Sequence, residues 1–254
     1  MTGVLAVVAH PDDEVIGPGG TLARHAGAGD RVHVLILAEG KTSRGLAAGG
    51  AEAELSREET ATACAELGVA GHRRLDLADN MLDSYPLLEL ARHIGDEVAR
   101  TEPRIVYTHH TGDLNADHEL TARATAIACR PHVSTVDWLL GFSTLSSTEA
   151  GFGARPGFAP VLYAPIEETL PVKLRAMRAY ASELRDFPHP RSLRAMQAQA
   201  ELFGAHAAVP AAEAFTVLRG TWRPLPHALL PPDPDPAPDP RSNPRDPRPH
   251  ATER

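Results

Sequence analysis

Val4-Leu5-Ala6-Val7-Val8-Ala9-His10-Pro11-Asp12-Asp13-Glu14 runs from six apolar residues straight into a histidine and three acids. An unbroken apolar run of this length reads as a strand buried on both faces, the kind found in parallel sheets. Its abrupt polar end does not suit a core. At the carboxyl end of such a strand it marks a site. Asp12 and Asp13 are adjacent, so their side chains diverge and can do different work. Gly17-Pro18-Gly19-Gly20 then punctuates the backbone, and Thr21 to Ala26 begins a helix that stops at Gly27 or Gly29. Strand, polar loop and helix make the opening of a βα unit.

The same alternation continues outward. Arg31 to Leu37 is a β-branched, apolar strand; after the glycine-rich loop Gly45 to Gly50, Glu52 to Leu67 has helical spacing closed by Gly68. A short strand is predicted near Arg74 to Leu77, followed by the polar turn Asp79 to Asp83. Pro86 opens a helix running to about Arg100. Arg104 to Thr108 is the next strand and also ends in a polar burst, His109 to His118, before a helix to about Cys129. Further on, strands are predicted at Trp138 to Phe142 and Val161 to Ile166, and helices at Val172 to Leu184 and from Ser192, as N-cap, to about Phe203. Phe215 to Leu218 is a last apolar segment that packs back on the body. The pattern predicts an α/β fold with a mostly parallel sheet covered on both faces. Such a sheet brings the two polar bursts to one rim.

Composition sets the outer limits. The chain has 254 residues, 43% hydrophobic and 23% charged, enough for one full core. One domain over residues 1–223 is expected, followed by a tail, 224–254, in which eleven of thirty-one residues are proline and no core can form. The net charge of -8 argues against nucleic acid as a partner. No apolar run is long enough for a signal peptide or a membrane span, so a cytoplasmic protein without membrane contact is expected, with a homo-oligomer left open. Cys64 and Cys129 sit in helical patterns and read as buried small hydrophobes rather than a disulfide or a metal site.

A hydrolytic divalent metal needs about three protein ligands and an open position for water. His10 and Asp13 from the first loop and His118 from the second would supply them. Asp12 is then free to act as general base toward the water, and Asp117 could accept the ring N–H of a ligand histidine and fix its tautomer. Arg57, on the helix Glu52 to Leu67, is a candidate substrate clamp, although a solvated surface charge is the commoner use of such a residue.

The combination Ala9-His10-Pro11-Asp12-Asp13-Glu14 with a later Asp117-His118 resembles the LmbE-like or PIG-L family of metal-dependent N-deacetylases. The resemblance runs from residue 4 to about 220 and takes in Asp79-Asn80, Tyr107 to His110, Gly112 to Asn115, Glu183-Leu184-Arg185 and Pro188 to Ser192. It implies a Rossmann-like three-layer fold, zinc as cofactor with other divalent metals such as Fe2+ open, and a small N-acetylglucosamine-type sugar conjugate as substrate. It also implies His10, Asp13 and His118 as ligands and Asp12 as base. One position departs from it: Asn115 stands where many members carry a histidine that stabilises the oxyanion or protonates the amine. Asparagine can donate to an oxyanion but is no general acid. Proton delivery is therefore expected from Asp12 itself or from His109, His110 or His189, the last fixed by a Pro-His-Pro turn beside Arg191, which could meet a phosphate. Two alternatives remain at this point, a mononuclear iron oxygenase with the same ligand set and a sugar-binding protein without catalysis.

Overall fold

Six apolar residues in succession bury on both sides only when their strand lies mid-sheet, and β1 (Gly3–Val8) does so. The computed structural model describes residues 1–40, 51–153 and 155–221; the Gly45 to Gly50 loop and the proline-rich tail lie outside them. Among the described residues the sheet has seven strands in the order β3-β2-β1-β4-β5-β7-β6. These are β2 (Arg31–Ala38), β3 (Gly71–Leu77), β4 (Ile105–His109), β5 (Trp138–Phe142), β6 (Leu162–Pro165) and β7 (Ala212–Gly220). β1 to β5 pair in parallel, while β7 is antiparallel to both β5 and β6.

Most crossovers between the parallel strands carry helices. The helices are α1 (Asp13–Ile16), α2 (Gly19–Gly27), α3 (Ala51–Glu66), α4 (Leu87–Thr101), α5 (Ala116–Ala128), α6 (Leu170–Ala179) and α7 (Leu193–Ala207). The two-residue alternation of the strands divides the interior into two cores. Val4, Ala6 and Val8 cluster with Leu22 of α2, Ala63 of α3 and Met177 of α6; Leu5 and Val7 cluster with Leu90 and Ile94 of α4 and Ala124 of α5. Helix, sheet and helix therefore form the expected three layers.

Several predicted boundaries move, four of them informatively. β3 starts at Gly71 rather than Arg74, because backbone pairing of His33 with Gly71 draws polar His72 and Arg73 into an edge strand that apolar runs do not reveal. The helix expected to reach Leu184 ends at Ala179; the backbone turns at Tyr180, whose carbonyl accepts from both Glu183 N and Leu184 N at 3.0 Å. Phe215 to Leu218 is the middle of β7, inserted between β5 and β6. The acidic loop after β1 is in part the helical turn α1.

From β1 the chain winds outward through β2 to β3, then returns to the opposite side of β1 for β4. The strand order reverses between β1 and β4, and the crevice outside their carboxyl ends is the place where open α/β sheets bind ligands. The backbone is brought close there: a Cβ on Gly17 would lie 2.3 Å from Phe142 Cδ2. A buried clamp then fixes the segment behind the first loop. Glu213 of β7 accepts from Gly20 N (2.8 Å) and Thr21 N (2.7 Å), and Lys173 Nζ joins Glu213 to the carbonyls of Ile16 and Gly17, each at 2.9 Å. Replacing Lys173 by methionine leaves a buried carboxylate without its counter-charge. The expected loss is about 3 kcal/mol of stability, read as a lowered midpoint of denaturant unfolding with the slope unchanged.

Candidate metal centre

β1 ends at Val8, and the next five residues contain the first half of the site. Asp12 takes a positive φ of 100° and stands at the N-cap position of α1, yet its side chain makes no capping hydrogen bond. Capping is the usual use of an aspartate there. Both Asp12 carboxylate oxygens are buried and accept no hydrogen bond, which keeps the group available; the nearest opposite charge is Arg191 Nη1 at 3.4 Å. Its backbone N–H is held by Glu14 Oε2 at 3.2 Å, and Glu14 Oε1 in turn accepts from the Tyr180 hydroxyl at 2.6 Å. Glu14 is thus the support of the loop.

The second half comes from the loop after β4. Asn115 caps α5, accepting from Asp117 N at 2.8 Å, and the first turn of that helix carries Asp117 and His118 into the crevice. His10 Nδ1 lies 3.2 Å from His118 Nε2, and Asp13 Oδ2 lies 3.5 Å from the former and 3.4 Å from the latter. All three residues are buried, each offers one ligand atom, and those atoms lie within 4.8 Å of one another.

The outer ring nitrogens fix the tautomers, assigned from their partners. His10 Nε2 faces Asp117 Oδ2 and Asp79 Oδ1, each at 3.2 Å, and both can only accept, so Nε2 carries the proton. His118 Nδ1 faces Asp113 Oδ1 and Ser147 Oγ, also at 3.2 Å. Two imidazole lone pairs and a carboxylate consequently point at one spot, and Asp13 Oδ1 is buried without a hydrogen bond. This donor set fits a divalent cation. Without a cation, protons do the balancing. Burial opposes charge on His10, but the hydrogen bonds to Asp117 and Asp13 override it and bring its pKa up to about 10. Burial likewise opposes charge on His118, and Asp13 raises its pKa. Asp13 is held well below the usual carboxylate range, against its burial, by neighbouring His118. Asp12 moves the other way: burial raises it to about 8, with Arg191 opposing.

The remaining sequence candidates are spread around this centre. Asp117 Oδ2 meets His10 Nε2 at 3.2 Å, and Asp117 Oδ1 accepts from Leu82 N at 3.0 Å. Asn115, beyond its cap, donates from Nδ2 to Asn80 Oδ1 at 3.3 Å. Arg191 lies between Asp12 and Glu183 (3.5 Å), with Ser146 Oγ on its Nε at 3.2 Å. His189 is exposed, and its Nδ1 accepts from Arg191 N at 3.0 Å. His110 Nε2 donates to Pro156 O at 3.0 Å. Arg57 is half exposed and pairs with Asp76 at 3.3 Å and Glu54 at 3.6 Å, outside the cluster.

His109, one of the proton-delivery candidates, is committed elsewhere. Its Nδ1 bonds Thr144 Oγ1 and its Nε2 accepts from Ala9 N, both at 3.0 Å. Burial pushes its pKa down to about 3, so it stays neutral. Its ring stacks on His118 at 4.0 Å and 10°, which makes it a rigid backing for that imidazole. Asp79, Asp113 and Ser147 were given no role by the sequence. Asp79 and Asp113 were visible as polar residues just past strand ends; Ser147 carried no signal.

A buried two-histidine, one-carboxylate cluster at the reversal point of a mostly parallel α/β sheet makes a site for a divalent cation, and the family to which the chain belongs is one of metal-dependent amide hydrolases. The chain belongs to the PIG-L, or LmbE-like, deacetylase family: residues 5–129 match the family model described as GlcNAc-PI de-N-acetylase. It is 30% identical over 189 residues to the uncharacterized deacetylase YaiS of Escherichia coli (strain K12), covering 71% of this chain and 91% of YaiS. It is 29% identical over 190 residues to the diacetylchitobiose deacetylase of Thermococcus kodakarensis, covering 71% and 69%. The crystal structure of the conserved protein TT1542 from Thermus thermophilus superposes with a TM-score of 0.69 at 26% identity, over 89% of this chain and all (100%) of TT1542. Among the described residues no helix is long and apolar enough to cross a membrane.

Proposed function

We propose that residues 1–223 form a zinc-dependent deacetylase domain that removes the N-acetyl group from an N-acetylglucosamine-type sugar conjugate. The observation carrying this is the convergence of His10 Nδ1, His118 Nε2 and Asp13 beside an Asp12 carboxylate that accepts no hydrogen bond. In this reading His10, Asp13 and His118 hold the cation. Bound there, a divalent cation polarises an amide carbonyl and acidifies water.

Asp12 removes the proton from the attacking water and returns it to the sugar nitrogen as the C–N bond breaks, giving acetate and a free amine. This double use suits a chain in which Asn115 replaces a histidine and His109 has both ring nitrogens occupied. Arg191 fixes the direction of the Asp12 carboxylate. His189, through its bond to Arg191 N, braces that arginine. Sugar specificity follows the diacetylchitobiose deacetylase, whose substrate is itself an N-acetyl sugar.

The test is a panel of N-acetylglucosamine conjugates assayed for acetate release, with metal analysis of the same protein. Stoichiometric acetate and free amine from at least one sugar, with about one zinc per chain, is the expected result. A metal-loaded protein that hydrolyses none of the panel would overturn the reading.

A further inference from the structure

A cavity of about 490 Å³, lined in part by Thr148, Phe152, Arg155, Phe158, Gln199 and Phe203, lies one residue beyond the Asp113 carboxylate that faces His118. Pockets of this size take whole small ligands or large parts of them. Three contacts tie its wall to the centre. Thr148 Oγ1 donates to Asp113, the carboxylate that faces His118. Arg155 pairs with Glu119, the residue after His118. Pro156 O accepts from His110 Nε2 at 3.0 Å, and the His110 ring meets Phe158 edge-on at 5.4 Å. The loop after β4 and this wall approach so closely that a Cβ on Gly112 would lie 2.3 Å from Pro156 O.

Phe152 stands at the lip with two unfavourable features at once. Its backbone is left-handed, at a φ of 44°, and the residue is 90% exposed. A left-handed backbone is strained for a bulky aromatic residue, and an exposed ring gains nothing from burial. Neither cost is offset by packing in the free protein. The nearby cations are already matched, Arg155 by Glu119 and Arg191 by Asp12 and Glu183, and the lining carboxylate of Glu149 accepts from Ser146 N at 2.7 Å. That leaves an aromatic surface without a cation committed to an anionic ligand.

We infer that this cavity is the aglycone subsite of the deacetylase and that it takes a hydrophobic, aryl-sized group attached to the amino sugar, packed against Phe152 and Phe158. The inference rests on the hydrolase reading above and adds the chemical class of the group that the sugar carries. Binding a remote apolar group here also gives the enzyme a handle for placing the acetamide against Asp12.

The test compares phenyl and methyl N-acetylglucosaminides, as both anomers, with the zinc-loaded full chain. The phenyl glycoside is expected to have a kcat/KM about tenfold higher, expressed in KM, as suits burial of one ring. In Phe158→Ala that ratio falls toward one. Equal kcat/KM for the two glycosides in the wild-type protein, or a phenyl preference untouched by Phe158→Ala, overturns the subsite while leaving the hydrolase reading intact. If neither glycoside releases acetate, the hydrolase reading fails in this assay, and calorimetry then judges the subsite alone. Phenyl glycoside binding the Asp12→Asn protein about tenfold tighter than methyl supports it; equal affinities overturn it.

Discussion

Asp12→Asn loses turnover by about 10²- to 10⁴-fold and keeps its metal. The substitution is close to isosteric, and the Asp12 side chain accepts no hydrogen bond that asparagine would forfeit. Its structural cost is confined to the contact with Arg191 at 3.4 Å. What disappears is the proton acceptor. The pH profile gives an independent check. Burial holds the Asp12 pKa up at about 8 in the cation-free protein, and a bound divalent cation nearby favours the charged carboxylate and lowers that value. A base works only when deprotonated, so wild-type kcat rises with pH along a limb whose midpoint lies at or below about 8, and the residual activity of Asp12→Asn lacks that limb. Acetate release measured from pH 5 to 9, with zinc content determined in parallel, reads both. A variant with wild-type turnover would sink the base assignment, and one with metal lost in proportion to activity would move Asp12 to the cation-holding group.

The first loop was legible because apolar pattern and polar burst are both local signals. Val4 to Ala9 followed by His10, Asp12 and Asp13 needs no tertiary information to be read as a strand end bearing a site, and parallel topology then brings in His118. The boundaries that shifted depend on long-range partners. Tyr180 ends its helix and bonds Glu14, a contact across 166 positions. β7 enters the sheet through pairing with β5 and β6, where the sequence showed only the short apolar segment Phe215 to Leu218. Arg57 shows the opposite failure: an arginine on the right helix, which the fold turns toward Asp76 and Glu54. Asp117 was assigned from sequence to a ligand histidine without saying which. The structure pairs it with His10, one hundred and seven positions away, and uses Asp113 for His118. Sequence adjacency of Asp117 and His118 carries no information on this point, because neighbouring residues on a helix point about 100° apart.

His118→Ala abolishes both metal retention and hydrolysis, and the contrast with Asp113→Ala shows why the two must be measured together. His118 provides one of three donors around a small volume, and removing it leaves His10 and Asp13 as a two-donor remnant with Asp113 facing a void. Zinc addition raises the melting temperature of the wild-type protein, because the cation binds only the folded site. In His118→Ala that zinc-dependent rise vanishes. Asp113 acts one step further out. It accepts from the far nitrogen of the same ring at 3.2 Å, so its loss frees the ring to rotate and weakens zinc by about 10- to 100-fold, with activity recovered at higher zinc. His109 stacked on His118 retains part of the ring's orientation in that variant, which places the expected loss at the lower end of that range. Wild-type protein stripped by a chelator should reproduce the His118→Ala melting curve in the absence of zinc only as far as the cation, rather than the buried imidazole, stabilises the fold. The difference between the two curves isolates the packing contribution of the ring itself. If His118→Ala still shows the full zinc-dependent rise, the cation sits elsewhere, and His10 with Asp79 and Asp117, the other buried triad within 4.8 Å, becomes the set to substitute.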